Sequence, residues 1–248
     1  MSHLRELQSQ RVRNGILSAM SDDDFSMLRP HFVRRPVNLY DVLVEPHKPI
    51  EHVYFPESGL VSFVSPTEIE IEVGVVRREG FVGASVILGV DRLPLKAGGQ
   101  IKGEGNTLST VVLLEAVEAS ATLRTLLSRY THVFMMQMAS TAYANAHFTI
   151  EQRLARWLLM CCDGADSHEL DLTHEFLAMM LCVRRPGVTV ATHILEGQGI
   201  IRAKRGRITI LDRPKLADLA GDCYGLAEAE YERVIMPKIR KEELRTIV

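Results

Sequence analysis

The sequence predicts an α+β fold in three parts: an antiparallel sandwich or barrel, one long helix, and a C-terminal pair of short helices followed by a two-stranded ribbon. Three observations predict it. Residues 37–118 alternate short apolar runs, such as "HVYFPESGLVSFV", with closely spaced turn residues at Pro56–Gly59, Pro66 and Gly80. Residues 119–147 hold neither Pro nor Gly and repeat apolar residues at three- and four-residue spacing. From Thr173 onward, two short amphipathic segments flank the turn "CVR" and lead into "GQGIIRAKRGRITIL".

Each element follows in order. Residues 10–35 read as helical, with Ile16, Leu17 and Met20 on one face, Ser21 capping a second helix through Phe25 and Leu28, and Pro30 and Pro36 ending the region. "IEIEV" alternates apolar and acidic residues with period two, the pattern of a half-buried strand. In the long helix, Leu123, Leu126, Leu127, Tyr130, Phe134, Met138 and Thr141 form one stripe. A helix of that length, about 40 Å by its rise, has more apolar face than one small barrel needs. Leu123, Leu127, Tyr130, Phe134 and Met138 are therefore expected to form a dimer seam. Residues 149–162 form a further helix with Thr149 as N-cap, "DGADSHEL" reads as a loop, and the tail 214–248 is helical in part.

Thr173 is a suitable N-cap for "HEFLAMML", whose inner face is Leu177, Met180 and Leu181, with the small Ala178 where two helices can cross. The second helix is expected from about Pro186 to Glu196, proline suiting a first turn because its absent N–H would be unpaired there. Val188, Ala191, Ile194 and Leu195 should face inward, leaving Arg185, Thr189, Val190 and His193 outward. This is a helix-turn-helix pattern, and the ribbon after it would be a wing setting Lys204, Arg205 and Arg207 against phosphates.

Charge supports that placement. The 248-residue chain has a formal charge of -2, so net charge predicts neither nucleic acid nor membrane as partner. Between residues 180 and 211, however, Arg184, Arg185, Arg202, Lys204, Arg205 and Arg207 stand against one acid, Glu196. The four cysteines, Cys161, Cys162, Cys182 and Cys223, show no CxxC spacing and read as reduced thiols. The N-terminus lacks a signal peptide's apolar core, and no run reaches the ~18 apolar residues of a membrane span. The expectation is a cytoplasmic protein with no membrane partner.

On these residues the sequence resembles the Crp/Fnr family of bacterial transcription regulators over nearly its full length. "YFPESGLVSFV" and "REGFVGASVILG" are similar to the family's β-roll segments, "LTHEFLAMMLCVRRPGV" to its DNA-reading unit and "GIIRAKRGRITILD" to its wing. The resemblance implies a jelly-roll-like β-roll sensor domain over residues 1–118, a dimerisation helix over 119–147 and a winged helix-turn-helix domain over 148–248. It implies a homodimer on double-stranded DNA, with RNA polymerase as a further partner. Two recognition helices about 34 Å apart would read a palindrome with half-sites roughly 10 bp apart.

The resemblance also assigns roles. Thr173 and His174 match phosphate-contacting positions, Arg184 would touch backbone, and Arg185 matches the family's first base-reading arginine. Pro186 stands where the family often has Glu and Val190 where it has a second Arg, so the operator should differ; Gly187, Thr189 and His193 complete the expected DNA face. Cys182 takes a turn position usually held by glycine, with a redox role left open.

The sensor end departs further. The cyclic-nucleotide cassette reads "GASVILGVDRLPLKAGG". The degenerate effector pocket would comprise Gly83, Ala84, Ser85, Leu95, Lys96 and Ala97, with Ala84 replacing the ribose-binding Glu and Leu95 the phosphate-binding Arg. A buried phosphate would lack its bidentate partner there, so no cyclic AMP is expected. The first 160 residues contain no cysteine, which argues against the family's iron–sulfur cluster, and His47 and His52, the candidate haem ligands, read as surface histidines. An unknown small effector stays open, as does a β-roll that docks a protein. Metal binding by Cys161, Cys162, His168 and His174 is disfavoured, because adjacent helical cysteines diverge by about 100°. No GxSxG, P-loop or HExxH motif suggests an enzyme.

Overall fold

The computed structural model describes residues 12–67, 71–164 and 168–236. Two short helices open it, α1 (Gly15–Ala19) and α2 (Asp22–Leu28). Ser21 caps α2 as expected, its hydroxyl accepting from the Asp24 N–H at 3.1 Å. Asn14 does more. Fully buried, it accepts from the Ile16 and Leu17 N–H groups and donates to the carbonyls of Pro56 and Gly80 at 2.8 and 2.7 Å. One side chain thus caps α1 and pins it to the sheet, with every polar valence satisfied.

The β-domain is a pair of antiparallel sheets. Strands β1 (Val33–Val37), β7 (Gly103–Ser109) and β3 (His52–Pro56) pair in that order; β2 (Val42–Val44), β6 (Lys96–Ile101), β4 (Leu60–Ser65) and β5 (Ile71–Val76) form the other. Their inner faces pack on Val53, Phe55, Phe63, Phe81 and Leu108. Rings stack in series through this core: Phe55 on Phe81 at 5.1 Å, Phe81 on Tyr130 at 5.0 Å, Phe63 on Phe134 at 5.1 Å. Gly80 is required where the chain passes Tyr130, since a Cβ there would lie 1.9 Å from the tyrosine oxygen.

Two expectations are corrected here. The strand-rich region stops at Ser109, because Thr110–Ala119 is a helix, α3, with Thr110, Leu113, Ala116 and Val117 on its buried face. The apolar run "VVLL" has strand texture, but its burial follows helical spacing. Of "IEIEV" the first two residues lie outside the described chain, and a strand runs from Ile71 onward, yet Glu72 is buried at 3% exposure while Ile71 and Val73 are half-buried. The acidic position faces inward because another part of the chain covers that side of the sheet.

The long helix α4 (Ala121–His147) starts at Ser120, whose side chain accepts from the Leu123 N–H. Then come α5 (Ile150–Gly164), strand β8 (Glu169–Asp171), α6 (His174–Met180), α7 (Arg185–Gly197), the hairpin β9 (Ile201–Lys204) and β10 (Arg207–Ile210), α8 (Arg213–Ala220) and α9 (Leu226–Ile235). Thr149 and Gln152 form a reciprocal capping box at the start of α5. The expected loop "DGADSHEL" ends in β8, which pairs with β10; residues 165–167 lie outside the described chain, as do 237–248 of the tail and the first residues of the N-terminal helical region.

A second core gathers Leu154, Trp157, Leu158, Leu177, Val188, Ala191, Leu195, Ile201 and Ile208, and it takes in Leu60 and Val75 from the β-domain. The two cores therefore share a boundary. Helix α9 crosses back over it: Tyr231, Val234 and Ile235 pack on the first core beside α4. At the crossing, buried Arg77 donates to Glu79 at 2.6 Å, to Asp163 and Glu228 at 3.3 Å each, and to the Met160 carbonyl at 3.0 Å.

Candidate nucleic-acid interface

Thr173 caps α6, accepting from the Phe176 N–H at 3.1 Å. The helix ends at Leu181, whose carbonyl takes an Arg153 N–H bond from α5. Cys182 then adopts a left-handed conformation, φ 50°, at the position where glycine would be easiest. Arg184 is extended, and α7 starts with Arg185 and Pro186, one residue earlier than expected.

The outward face of α7 carries Arg185, Pro186, Val190 and His193, all exposed, with Gly187 and Thr189 half-buried beside them. His174 reaches across from α6 to the Thr189 hydroxyl at 3.0 Å, which fixes the two helices relative to each other. One inner-face assignment is corrected. Ile194 is 39% exposed, and Thr192, fully buried, takes its place beside Val188, Ala191 and Leu195. The centre of the buried stripe falls between Ala191 and Thr192, which carries Ile194 outward.

In the wing, Lys204 pairs with Arg207 across a two-residue turn, Arg205–Gly206. Both turn residues have positive φ, 50° and 77°, as a type I′ hairpin needs. Ile201, Ile208 and Ile210 point into the second core. The opposite face holds Arg202, Lys204 and Arg207, exposed, with Arg205 at the tip. Two acids share it: Arg207 donates to Asp171 at 2.9 Å and sits 3.4 Å from Glu169. These contacts raise the guanidinium pKa above its ordinary value, chiefly through the Asp171 hydrogen bond. On the helix side Glu175 lies 3.9 Å from Arg185, both largely exposed. Among the described residues Arg184, Arg202, Lys204 and Arg205 have no ion-pair partner.

Sequence reasoning does not find these three acids. A signal exists in "HELDL", whose Glu169 and Asp171 alternate with buried Leu170 and Leu172 as edge-strand residues do. Glu175 reads in the sequence only as a residue of the first helical turn.

The other predicted sites are differently placed. Ala84 and Ala97 are buried and Leu95 packs against the first core, while Gly83 (φ 99°) lies so close to Val53 that a Cβ would meet its Cγ1 at 3.0 Å. Ser85 and Lys96 are half-buried. His47 and His52 are both exposed. Cys161 is fully buried and Cys162 half-buried, so the two thiols diverge around α5.

In the α4 stripe, Leu123, Leu127 and Tyr130 are within 3% of full burial in their own chain's core, so they offer no surface to a second molecule. Phe134 and Met138 are half-buried against the β-domain. The stripe that does face outward is shifted: Ser128, His132, Met135, Ala139, Ala142 and Ala146 alternate at four- and three-residue spacing. His132 bonds Glu230 of α9 at 2.7 Å.

A capped helix pair, a tight turn, an exposed basic helix start and a three-stranded wing define a winged helix-turn-helix domain, carried here behind a β-roll. Residues 152–219 match the model of the Crp-like helix-turn-helix domain. That segment, a little over a quarter of the chain, is of the Crp-like helix-turn-helix type. Similar solved structures include FixK2 from Bradyrhizobium japonicum, 17% identical, with a TM-score of 0.66 over 77% of this chain and 98% of that one. A CRP-family transcriptional regulator from Thermus thermophilus is 17% identical, TM-score 0.63, covering 77% of this chain and 99% of its own. A CRP/FNR-family regulator from the same organism is 22% identical, TM-score 0.61, over 76% and 98%. At these identities the likeness is one of fold. No curated protein matches the chain in sequence. No helix among the described residues is long and apolar enough to cross a membrane.

Proposed function

We propose that the chain is a sequence-specific DNA-binding transcription regulator acting as a homodimer on a palindromic operator. One observation carries the reading: Arg184, Arg202, Lys204 and Arg205 stand exposed without acid partners at the start of α7 and on the wing. Unpaired cations grouped on one domain suit a polyanion, and binding would release counterions from the duplex. The start of α7 would enter the major groove, about 12 Å wide, with Arg185 forking onto guanine O6 and N7. Glu175 would hold that guanidinium only until the base replaces it. Thr173, His174, Arg184, Lys204 and Arg205 would position the duplex through phosphates, with Arg207 a weaker contributor.

Pairing of two chains would run along the outward stripe of α4, where small residues let two helices approach closely. The β-roll would take no cyclic nucleotide, since Ala84 and Leu95 stand where the ligand's partners would be needed. Selection of bound sequences from random duplex DNA tests the reading. A palindrome with half-sites one helical turn apart supports it, whereas recovery of no enriched sequence overturns it. Added cyclic AMP is expected to leave both the selected sequence and the thermal transition unchanged.

A further inference from the structure

Glu72 lies on β5 where the β-roll meets α5, the first helix of the DNA-binding domain. It is 3% exposed. One carboxylate oxygen accepts from the Trp157 indole N–H at 3.0 Å and the other from the Ser62 hydroxyl at 2.5 Å. Among the described residues, the rest of its surroundings carry little compensating charge. Strand β4 supplies only Ser62. Helix α4 supplies Gln137, engaged with the Val75 N–H at 3.2 Å, and Thr141. Helix α5 supplies Trp157, the buried Cys161 thiol and Arg156, whose guanidinium donates to the Thr141 hydroxyl at 3.1 Å and acts on Glu72 through space. Helix α6 turns His174 and Glu175 toward the outer face, and Arg77 at the end of β5 is spent on Glu79, Asp163 and Glu228. A carboxyl at a boundary between two domains is thus held by two neutral donors, without an ion pair of its own.

We propose that Glu72 is a proton-sensing site, and that gain or loss of its proton sets how tightly the β-roll holds α5. Burial pushes this carboxyl up to about 7, against the opposing pull of the Ser62 and Trp157 donors and the Arg156 charge. If the boundary opens, water reaches the group and its pKa returns toward about 4.3. The closed boundary therefore binds the proton more tightly than the open one. By linkage, closure is favoured at low pH, weakens as pH rises from about 4.3 to about 7, and changes no further above that window. A buried anion short of partners is the weak point when the proton leaves. Any consequence for operator affinity rests on the DNA-binding reading; the proton site does not.

Trp157 is the sole tryptophan of the chain, so its emission reports the bond to Glu72 directly. The full-length protein is titrated from pH 5 to 9, wild type beside Glu72→Gln, whose amide can accept from Trp157 and donate to Ser62. The wild type is expected to show an emission transition with a midpoint near 7, and Glu72→Gln none. Thermal transitions should fall between pH 5.5 and 8 in the wild type and stay level in the variant. A flat wild-type titration overturns the proposal whether or not the variant folds, as does the same transition persisting in Glu72→Gln. Ser62→Ala, which removes a donor to the charged form, should move the midpoint upward; an unmoved midpoint counts against the site. Affinity for the selected operator should differ at least threefold between pH 6 and 8 in the wild type and not in Glu72→Gln. Loss of all DNA binding with the emission transition intact removes the operator reading alone, and operator binding with flat emission removes the proton site alone.

Discussion

Charge is handled in opposite ways on the two sides of the winged helix-turn-helix domain. On the side toward the β-roll, Arg77 is 5% exposed and meets three acids drawn from β5's end, α5 and α9. On the outer side, four of the six cations between residues 180 and 211 meet none. A buried cation must be compensated from within, because desolvating it uncompensated costs several kcal/mol. An exposed cation can wait in water at little cost for a partner from outside. The contrast separates charges that hold the chain together from charges that contact something else, and the wing's Arg207, exposed yet paired, falls between.

The contrast breaks most visibly at Arg77. Arg77→Ala strands Glu79, Asp163 and Glu228 around a cavity and should cost about 3–5 kcal/mol of stability, read as a lowered denaturant midpoint. Next comes Arg185→Ala, expected to leave stability unchanged and to cost about 1–3 kcal/mol of discrimination at one base pair per half-site, read by competition between operator variants. Arg205→Ala should weaken all duplexes alike and lower the salt slope by about 1 for each phosphate no longer neutralised. Arg207→Ala should do the same to a smaller degree, since Asp171 already offsets that charge. Its complement, Asp171→Asn, should tighten binding and steepen the salt slope. Equal effects of Arg205→Ala and Arg207→Ala would show that the acids on β8 do not matter.

What is legible in the sequence is whatever periodicity and local chemistry fix. The capping residues Ser21, Thr149 and Thr173, the helix pair, the wing and the β-rich half follow from turn residues, 3.6- and 2-residue spacing and the resemblance those segments carry. What is not legible depends on contacts between distant segments. "TVVLLEAVEA" contains a strand-like run, and only its packing against the β-roll shows it as α3. The α4 stripe is visible, but not which neighbour it serves: Leu123 and Leu127 go to their own chain's core, and the outward stripe lies one step round the helix. Glu72 looks solvent-facing in any alternating strand, because nothing in "IEIEV" says that Trp157, 85 positions away, covers it. The acids opposing the basic face escape for the same reason, being brought to the wing by β8 pairing with β10.

On the reading proposed above, the unpaired outer cations meet phosphates. Its most direct test is the affinity of the purified protein for its selected duplex as a function of salt. Log K should fall linearly with log salt, at a slope of about −0.9 for each phosphate neutralised, and Arg205→Ala should make the slope shallower. Affinity that does not respond to salt, or a slope that Arg205→Ala leaves untouched, would contradict it.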